Sequence, residues 1–257
     1  PNGLILEKTT YYERFDMSDF DQMNTQTMTQ EARAREINEG LRIYMSKVYN
    51  HMAIGLLVTA LIAYLGAASG LYMSLASTPL IYVLMFAPFA MAMYFTFRFM
   101  NMTSTKARNV FYIYAALMGL SLSSVFLVFT GQSITTTFLI TAAAFGSLSL
   151  YGYTTKRDLG PLGAFLFMGL IGIILASVVN MFVGSASGQF AISVMGVLLF
   201  AGLTAYDTQR IKTTYLEMAH SGDQEWLGKA VIMGALSLYL DFINLFMMLL
   251  QLLGNRE

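Results

Sequence analysis

The chain has 257 residues, of which 56% are hydrophobic and only 12% charged, with fifteen basic and fifteen acidic side chains in balance. A soluble domain carries about 25% charged residues, so this composition, with a mean hydropathy of +0.58, indicates a polytopic membrane protein, and the zero net charge gives no electrostatic case for nucleic acid. The lack of cysteine excludes disulfides, thiolate catalysis and cysteine-ligated zinc or iron–sulfur centres.

Residues 1–46 form a polar tail that holds eight of the fifteen acids. Thr27 and Gln30 have capping-box spacing. Ile37, Leu41, Tyr44 and Val48 then recur at helical intervals, so a short amphipathic helix is expected to lead into the first span. The first apolar run begins near residue 48, and no cleavable signal peptide is expected. Seven runs of spanning length follow, at 48–68, 79–100, 109–130, 133–152, 161–183, 190–211 and 230–253. The expected architecture is all-α, with the polar tail (1–46) followed by a seven-helix transmembrane domain (47–257). Pro79 and Pro161 sit at span starts, where proline is tolerated, whereas Pro88 inside span two predicts a kink. The longest connection is 212–229.

The loops are asymmetric in charge. Arg98, Lys106 and Arg108 gather between spans two and three, Lys156 and Arg157 between four and five, and Arg210, Lys212 and Lys229 between six and seven. The intervening connections carry no lysine or arginine. By the positive-inside rule the N-terminus and the basic connections are cytoplasmic, and with seven full spans the C-terminus lies outside. Small residues mark span five (Gly169, Gly172, Ala176) and span four (Gly146, Ser147, Ser149, Gly152), where helix backbones can approach closely.

Span seven carries a polar seam. Gly234, Ser237, Asp241, Asn244, Met248 and Gln251 follow at alternating steps of three and four, which is one stripe along a helix. The seam is expected to face other helices. An aspartate in mid-span costs at least a few kcal/mol and is a functional candidate by default. Between residues 52 and 211 the only acids are Asp158, in a charged loop, and Asp207, near the end of span six with Thr204 on the same face. Spans six and seven can pack antiparallel, but Asp207 and Asp241 meet only if span six continues past Ile211 or span seven starts above the bilayer surface. Two carboxylates in a low-dielectric site cannot both ionise cheaply and bind protons in two coupled steps. With Asn244 and nearby backbone they could also offer oxygen ligands to Ca²⁺. The alternative is a pair that only fixes helix register. His51 reads as an interfacial residue, as does Trp226, and no enzyme motif such as HExxH, GxSxG or a P-loop is present. Tyr206-Asp207 matches half of an intramembrane aspartyl-protease signature, but Leu240-Asp241 does not.

The run Phe200-Ala-Gly-Leu-Thr-Ala-Tyr-Asp207-Thr-Gln-Arg-Ile-Lys212, followed by Ala235-Leu-Ser-Leu-Tyr-Leu-Asp241-Phe-Ile-Asn-Leu-Phe246, strongly resembles the Bax inhibitor-1 family, in the form of its bacterial members. The resemblance implies a bundle whose last helix is central and wrapped by the other six. It also implies a pH-sensitive calcium leak gated by an aspartate pair and an arginine of the second helix. Asp207 and Asp241 match the pair, as pH sensor and calcium site. Arg98 is the arginine carried over, with Lys106 and Arg108 as alternatives, and Ser237, Asn244 and Thr204 support the site. No cofactor is required, calcium and protons are the expected ligands, and a bacterial inner membrane is the expected location. Family members are also linked to stress responses and to regulation of membrane proteases. A second reading is therefore a non-enzymatic regulator that binds another membrane protein, with the aspartates structural.

Overall fold

The computed structural model describes residues 17–218 and 223–255. Residues 1–16 of the polar tail and His220 lie outside them. Seven helices are long and apolar enough to cross a membrane: α1 (Met17–Ala68), α2 (Leu80–Arg98), α3 (Ser104–Ser121), α4 (Gly131–Thr154), α5 (Gly160–Val183), α6 (Ala186–Met218) and α7 (Gln224–Leu253). Short helical pieces, Leu71–Ala76 and Val125–Val128, follow α1 and α3. The described residues contain no strand. The chain divides after Ile43 into two units, and α1 runs across that boundary. Thr27 and Gln30 lie within α1 rather than at its start, so the capping-box expectation does not hold.

Local chemistry sets the helix ends. Thr103, Thr130 and Asp223 each accept a hydrogen bond from a first-turn N–H of α3, α4 and α7, which satisfies a donor that the helix leaves free. Gly184 ends α5 in the left-handed conformation, at φ 68°, where a side chain would be strained. Pro88 is buried within α2, which continues through it.

The largest departure from the sequence reading is at 212–229. It is mostly helix: α6 runs on to Met218 and α7 starts at Gln224. Lys212, Glu217, Glu225 and Lys229 interrupt the hydropathy there, but long straight-chain charged residues are good helix formers.

Helix α7 is the core. Two-thirds (67%) of its apolar window is buried, against 33% or less in each other span. Tyr239, Leu238, Leu245 and Leu250 are fully buried. It packs on α3, α4 and α6, while α2 packs on α3 and α5 on α6. The outer faces of α2 and α5 remain apolar and bare, with Phe97 72% and Phe182 81% exposed, as suits contact with lipid tails. The unbroken α7 carries the chain to the end opposite the basic loops. There Asn255 accepts from the Thr130 N–H at 3.1 Å and donates its own N–H to Ser133 Oγ at 3.0 Å.

The buried α7 face is anchored by one polar contact. Thr59 Oγ1 of α1 donates to the Ala115 carbonyl at 2.9 Å, so the Tyr239 hydroxyl, 2.7 Å away, donates to Thr59. Phe111 and Tyr114 pack edge-on against the Tyr239 ring. Tyr239→Phe removes one hydrogen bond and leaves Thr59 its carbonyl partner. The expected cost is about 0.5–1.5 kcal/mol, read as a drop of a few degrees in a detergent thermal melt.

Candidate functional site

The site lies where α6 and α7 run antiparallel. On α6, Ser193, Gly196, Phe200, Thr204, Asp207 and Ile211 recur at steps of three and four, matching the seam on α7. Three contacts fix the register. Ile211 sits on Gly234, Met248 sits on Gly196, and Gln251 bonds Ser193. Each step back along α6 is thus a step forward along α7. Asp207 lies level with Ser237 and Asp241 level with Leu203 and Thr204, so the aspartates stand about one turn, ~5 Å, apart in depth. The first condition posed by the sequence is met, since α6 continues past Ile211 to Met218, and α7 begins at Gln224, ahead of the expected start at 230.

Asp207 and Asp241 share the wall of a cavity of about 620 Å³ whose other walls include Gly163 and Phe167 of α5 and Ser237 and Asn244 of α7. Asp241 is only 5% exposed, and its Oδ2 is buried without a hydrogen-bond partner. An orphaned acceptor of this kind is costly and asks for a proton donor or a cation. Gly163 makes room for the Tyr206 ring, whose hydroxyl stands 2.7 Å from where a Cβ would be. A second cavity of about 210 Å³ lies toward the basic end, between Trp226, Lys229 and Met100. Asp207, Arg210 and Ser237 line both cavities and form the partition between them.

The counter-charge differs from the one carried over by resemblance. Arg210 stands one turn from Asp207 on the same helix, with 4.0 Å between Nη1 and Oδ1. Arg98 is exposed at the end of α2 and lines neither cavity, although its neighbours Phe99 and Met100 line the smaller one. Among the described residues no ion pair joins Arg98 to either aspartate. The i, i+3 spacing of Asp207 and Arg210 was the available signal for this pair.

Of the supporting residues, Ser237 and Asn244 line the cavity, and Asn244 also donates to the Leu240 carbonyl at 2.8 Å. Thr204 is fully buried with its hydroxyl turned back to the Phe200 carbonyl at 2.7 Å, so it packs the wall and faces away from the cavity. Thr208 below it joins Ser149 of α4 at 2.9 Å, and Ser149 joins Tyr49 of α1 at 2.5 Å. This chain of hydroxyls holds α6 in place behind the site. His51 bonds the Tyr112 hydroxyl through Nδ1 at 2.6 Å. Among the described residues no three His, Asp or Glu side chains converge on one point.

The seam is narrower than the sequence suggested. Gly234 and Asp241 are buried, whereas Ser237, Asn244, Met248 and Gln251 are only partly so. Only its Gly234–Asp241 edge is fully covered by neighbouring helices, and the cavity opens beside it.

Comparison with known proteins agrees with this architecture. The chain is 46% identical over 234 residues to an uncharacterised protein of Rickettsia prowazekii, covering 91% of this chain and 98% of that one. It is 47% identical over 220 residues to the inner membrane protein YbhL of Escherichia coli, covering 85% and 94%. It is 43% identical over 252 residues to an uncharacterised protein of Caulobacter vibrioides, covering 94% and 100%. The family profile described as inhibitor of apoptosis-promoting Bax1 matches residues 41–257, which include both aspartates and all of the helices that line the cavity. With its seven spans and its central, aspartate-bearing α7, this integral membrane protein belongs to the Bax inhibitor-1 family.

Proposed function

We propose that the protein is a pH-dependent calcium leak of a bacterial inner membrane, with its N-terminus and basic loops cytoplasmic. Asp207 and Asp241 act as the pH-sensing pair and cation site. The observation that carries this reading is the buried, unpartnered Oδ2 of Asp241 in a cavity shared with Asp207. A carboxyl held without a partner in a membrane interior is poorly explained as a helix staple, because a staple would spend both oxygens on neighbours. Proton and cation compete for the same oxygens. Ca²⁺ takes six to eight oxygen ligands; two carboxyls with Ser237 and Asn244 supply at most six, and Arg210 stands beside one of the carboxyls, so the site favours passage over storage. Arg210 balances Asp207 in this structure, and the latch role of Arg98 requires the end of α2 to move inward. Relatives such as YbhL, an inner membrane protein by name, support the location.

The test is calcium entry into liposomes that hold the purified chain and a calcium dye. Entry is expected to exceed that of protein-free liposomes and to fall several-fold on acidification, because protons remove the charge that attracts the cation. Entry equal to that of empty liposomes at every pH would overturn the proposal and leave the reading in which the chain acts by binding another membrane protein.

A further inference from the structure

The cavity that holds the aspartates is lined from Ser237 to Asn244 along α7 and from Arg210 to Phe200 along α6. Toward the basic end its wall is the partition of Asp207, Arg210 and Ser237. Toward the other end the seam is shut twice. Met248 first fills the space that Gly196 leaves, its Cγ and Sδ both 2.8 Å from where a Cβ would stand. One turn further, the Gln251 Oε1 accepts from Gln189 Nε2 at 2.6 Å and from Ser193 Oγ at 3.0 Å. Gln189 Oε1 in turn accepts from Asn180 Nδ2 at 3.3 Å. One chain of amides and a hydroxyl therefore ties α5, α6 and α7 together, and these are the three helices that wall the cavity.

We infer that Gln251 is the gating residue of a second, outer closure, an amide latch with Gln189 and Ser193 that stands in series with the aspartates. The inference rests on the leak reading for its purpose, but its geometry does not depend on calcium. Both donors converge on one accepting oxygen, so the latch opens when a single side chain leaves. Ser193 is 1% exposed, so its hydroxyl has no water of its own to turn to and holds Gln251 in place while the helices stay together. Side-chain hydrogen bonds between membrane helices are individually weak. A latch built from them can hold a closed state and still be released by a small shift of α5 or α6. The latch also explains why the seam continues past Asn244 as Met248 and Gln251, two positions that the aspartate pair does not need.

The chain contains no cysteine, which makes thiol accessibility a clean readout. Asn244→Cys places one thiol on the cavity wall, and Asn255→Cys places one beyond the end of α7 as a reference for the side exposed. A charged, membrane-impermeant thiol reagent is added to spheroplasts that display the Asn255→Cys thiol. Labelling of Asn244→Cys is expected to be slow relative to that reference. Adding Gln251→Leu is expected to accelerate it by roughly an order of magnitude, as the open state gains population. Gln251→Glu keeps the accepting oxygen and is expected to stay slow. If Gln251→Leu does not fold, Gln189→Leu and Ser193→Ala each remove one donor and carry the same expectation. Unchanged labelling in all the folded variants overturns the latch, as does Gln251→Glu labelling as fast as Gln251→Leu. Calcium entry is measured separately in liposomes with Asn244 in place; accelerated labelling together with no entry through either the unmutated chain or Gln251→Leu supports the latch and overturns the leak.

Discussion

Replacing Asp241 by asparagine is expected to abolish the pH dependence of calcium entry while making the protein more stable. The two effects have one cause. In the folded chain Asp241 is 5% exposed, with an oxygen that no neighbour satisfies. A buried acceptor left unmade costs about 1–3 kcal/mol, and a charged one costs more. Asparagine has nearly the same shape, cannot ionise and carries its own donor, so part of that cost is recovered. The cavity loses one of the two carboxyls that attract a divalent cation. Entry at neutral pH is expected to fall about tenfold, the equivalent of on the order of 1.4 kcal/mol of lost cation stabilisation. The decline on acidification disappears, because the remaining carboxyl of Asp207 is balanced by Arg210 and has no partner with which to share a proton. The measurements are calcium entry across a pH series and the thermal midpoint in detergent. Opposite outcomes separate the readings. An aspartate that only fixes register predicts a lower midpoint and an unchanged pH profile. An aspartate kept for function predicts a higher midpoint and a flat one, which is the usual exchange of stability for activity at a strained site.

Much of this arrangement can be read from the sequence because the bilayer simplifies the code. A span must be apolar for about twenty residues, so seven runs gave seven helices. A polar residue within one is costly, so the charge census led directly to Asp207 and Asp241. The seam on α7 and the shared face of Thr204 and Asp207 on α6 allowed antiparallel packing, but the register itself rests on the contacts at Gly234, Gly196 and Ser193. What was not legible is the set of relations between distant positions. Arg210 and Arg98 were both near the pair by depth, and only packing shows that Arg98 lies outside the cavity while Arg210 lines it. Gln189 and Gln251 lie on different helices, and no spacing rule joins them. Segment 212–229 looked like a loop because charge lowers hydropathy without lowering helix propensity. The seam showed which face of α7 is polar, but not that α5 leaves room for a cavity beside it.

Span four shows the same limit at a single residue, and there the expected effect is on folding. Gly146 and Gly152 look alike in the sequence, both small residues in an apolar helix. In the structure Gly146 is exposed, and a Cβ there would meet nothing within 4 Å. At Gly152 a Cβ would stand 3.0 Å from the Ala205 Cα and closer still to the Ala205 carbonyl. The obstacle is backbone, which cannot rotate aside as a flexible side chain can. Any larger residue at 152 must push α4 and α6 apart. That separation would break the Ser149–Thr208 bond, one turn away, and shift the helix that carries Asp207. Overpacking a well-filled contact costs about 1–3 kcal/mol, occasionally more, and a backbone clash belongs at the upper end. Gly152→Leu is therefore expected to lower the thermal midpoint sharply or to prevent recovery of folded protein in detergent. Gly146→Leu is expected to be neutral or slightly stabilising, because leucine restricts the unfolded chain and favours the helix by about 0.5–1 kcal/mol relative to glycine. Size-exclusion recovery after heating, run on the two variants side by side, is the measurement. Equal loss from both would mean that α4 and α6 do not depend on close approach at Gly152, and the placement of Asp207 would then need another support.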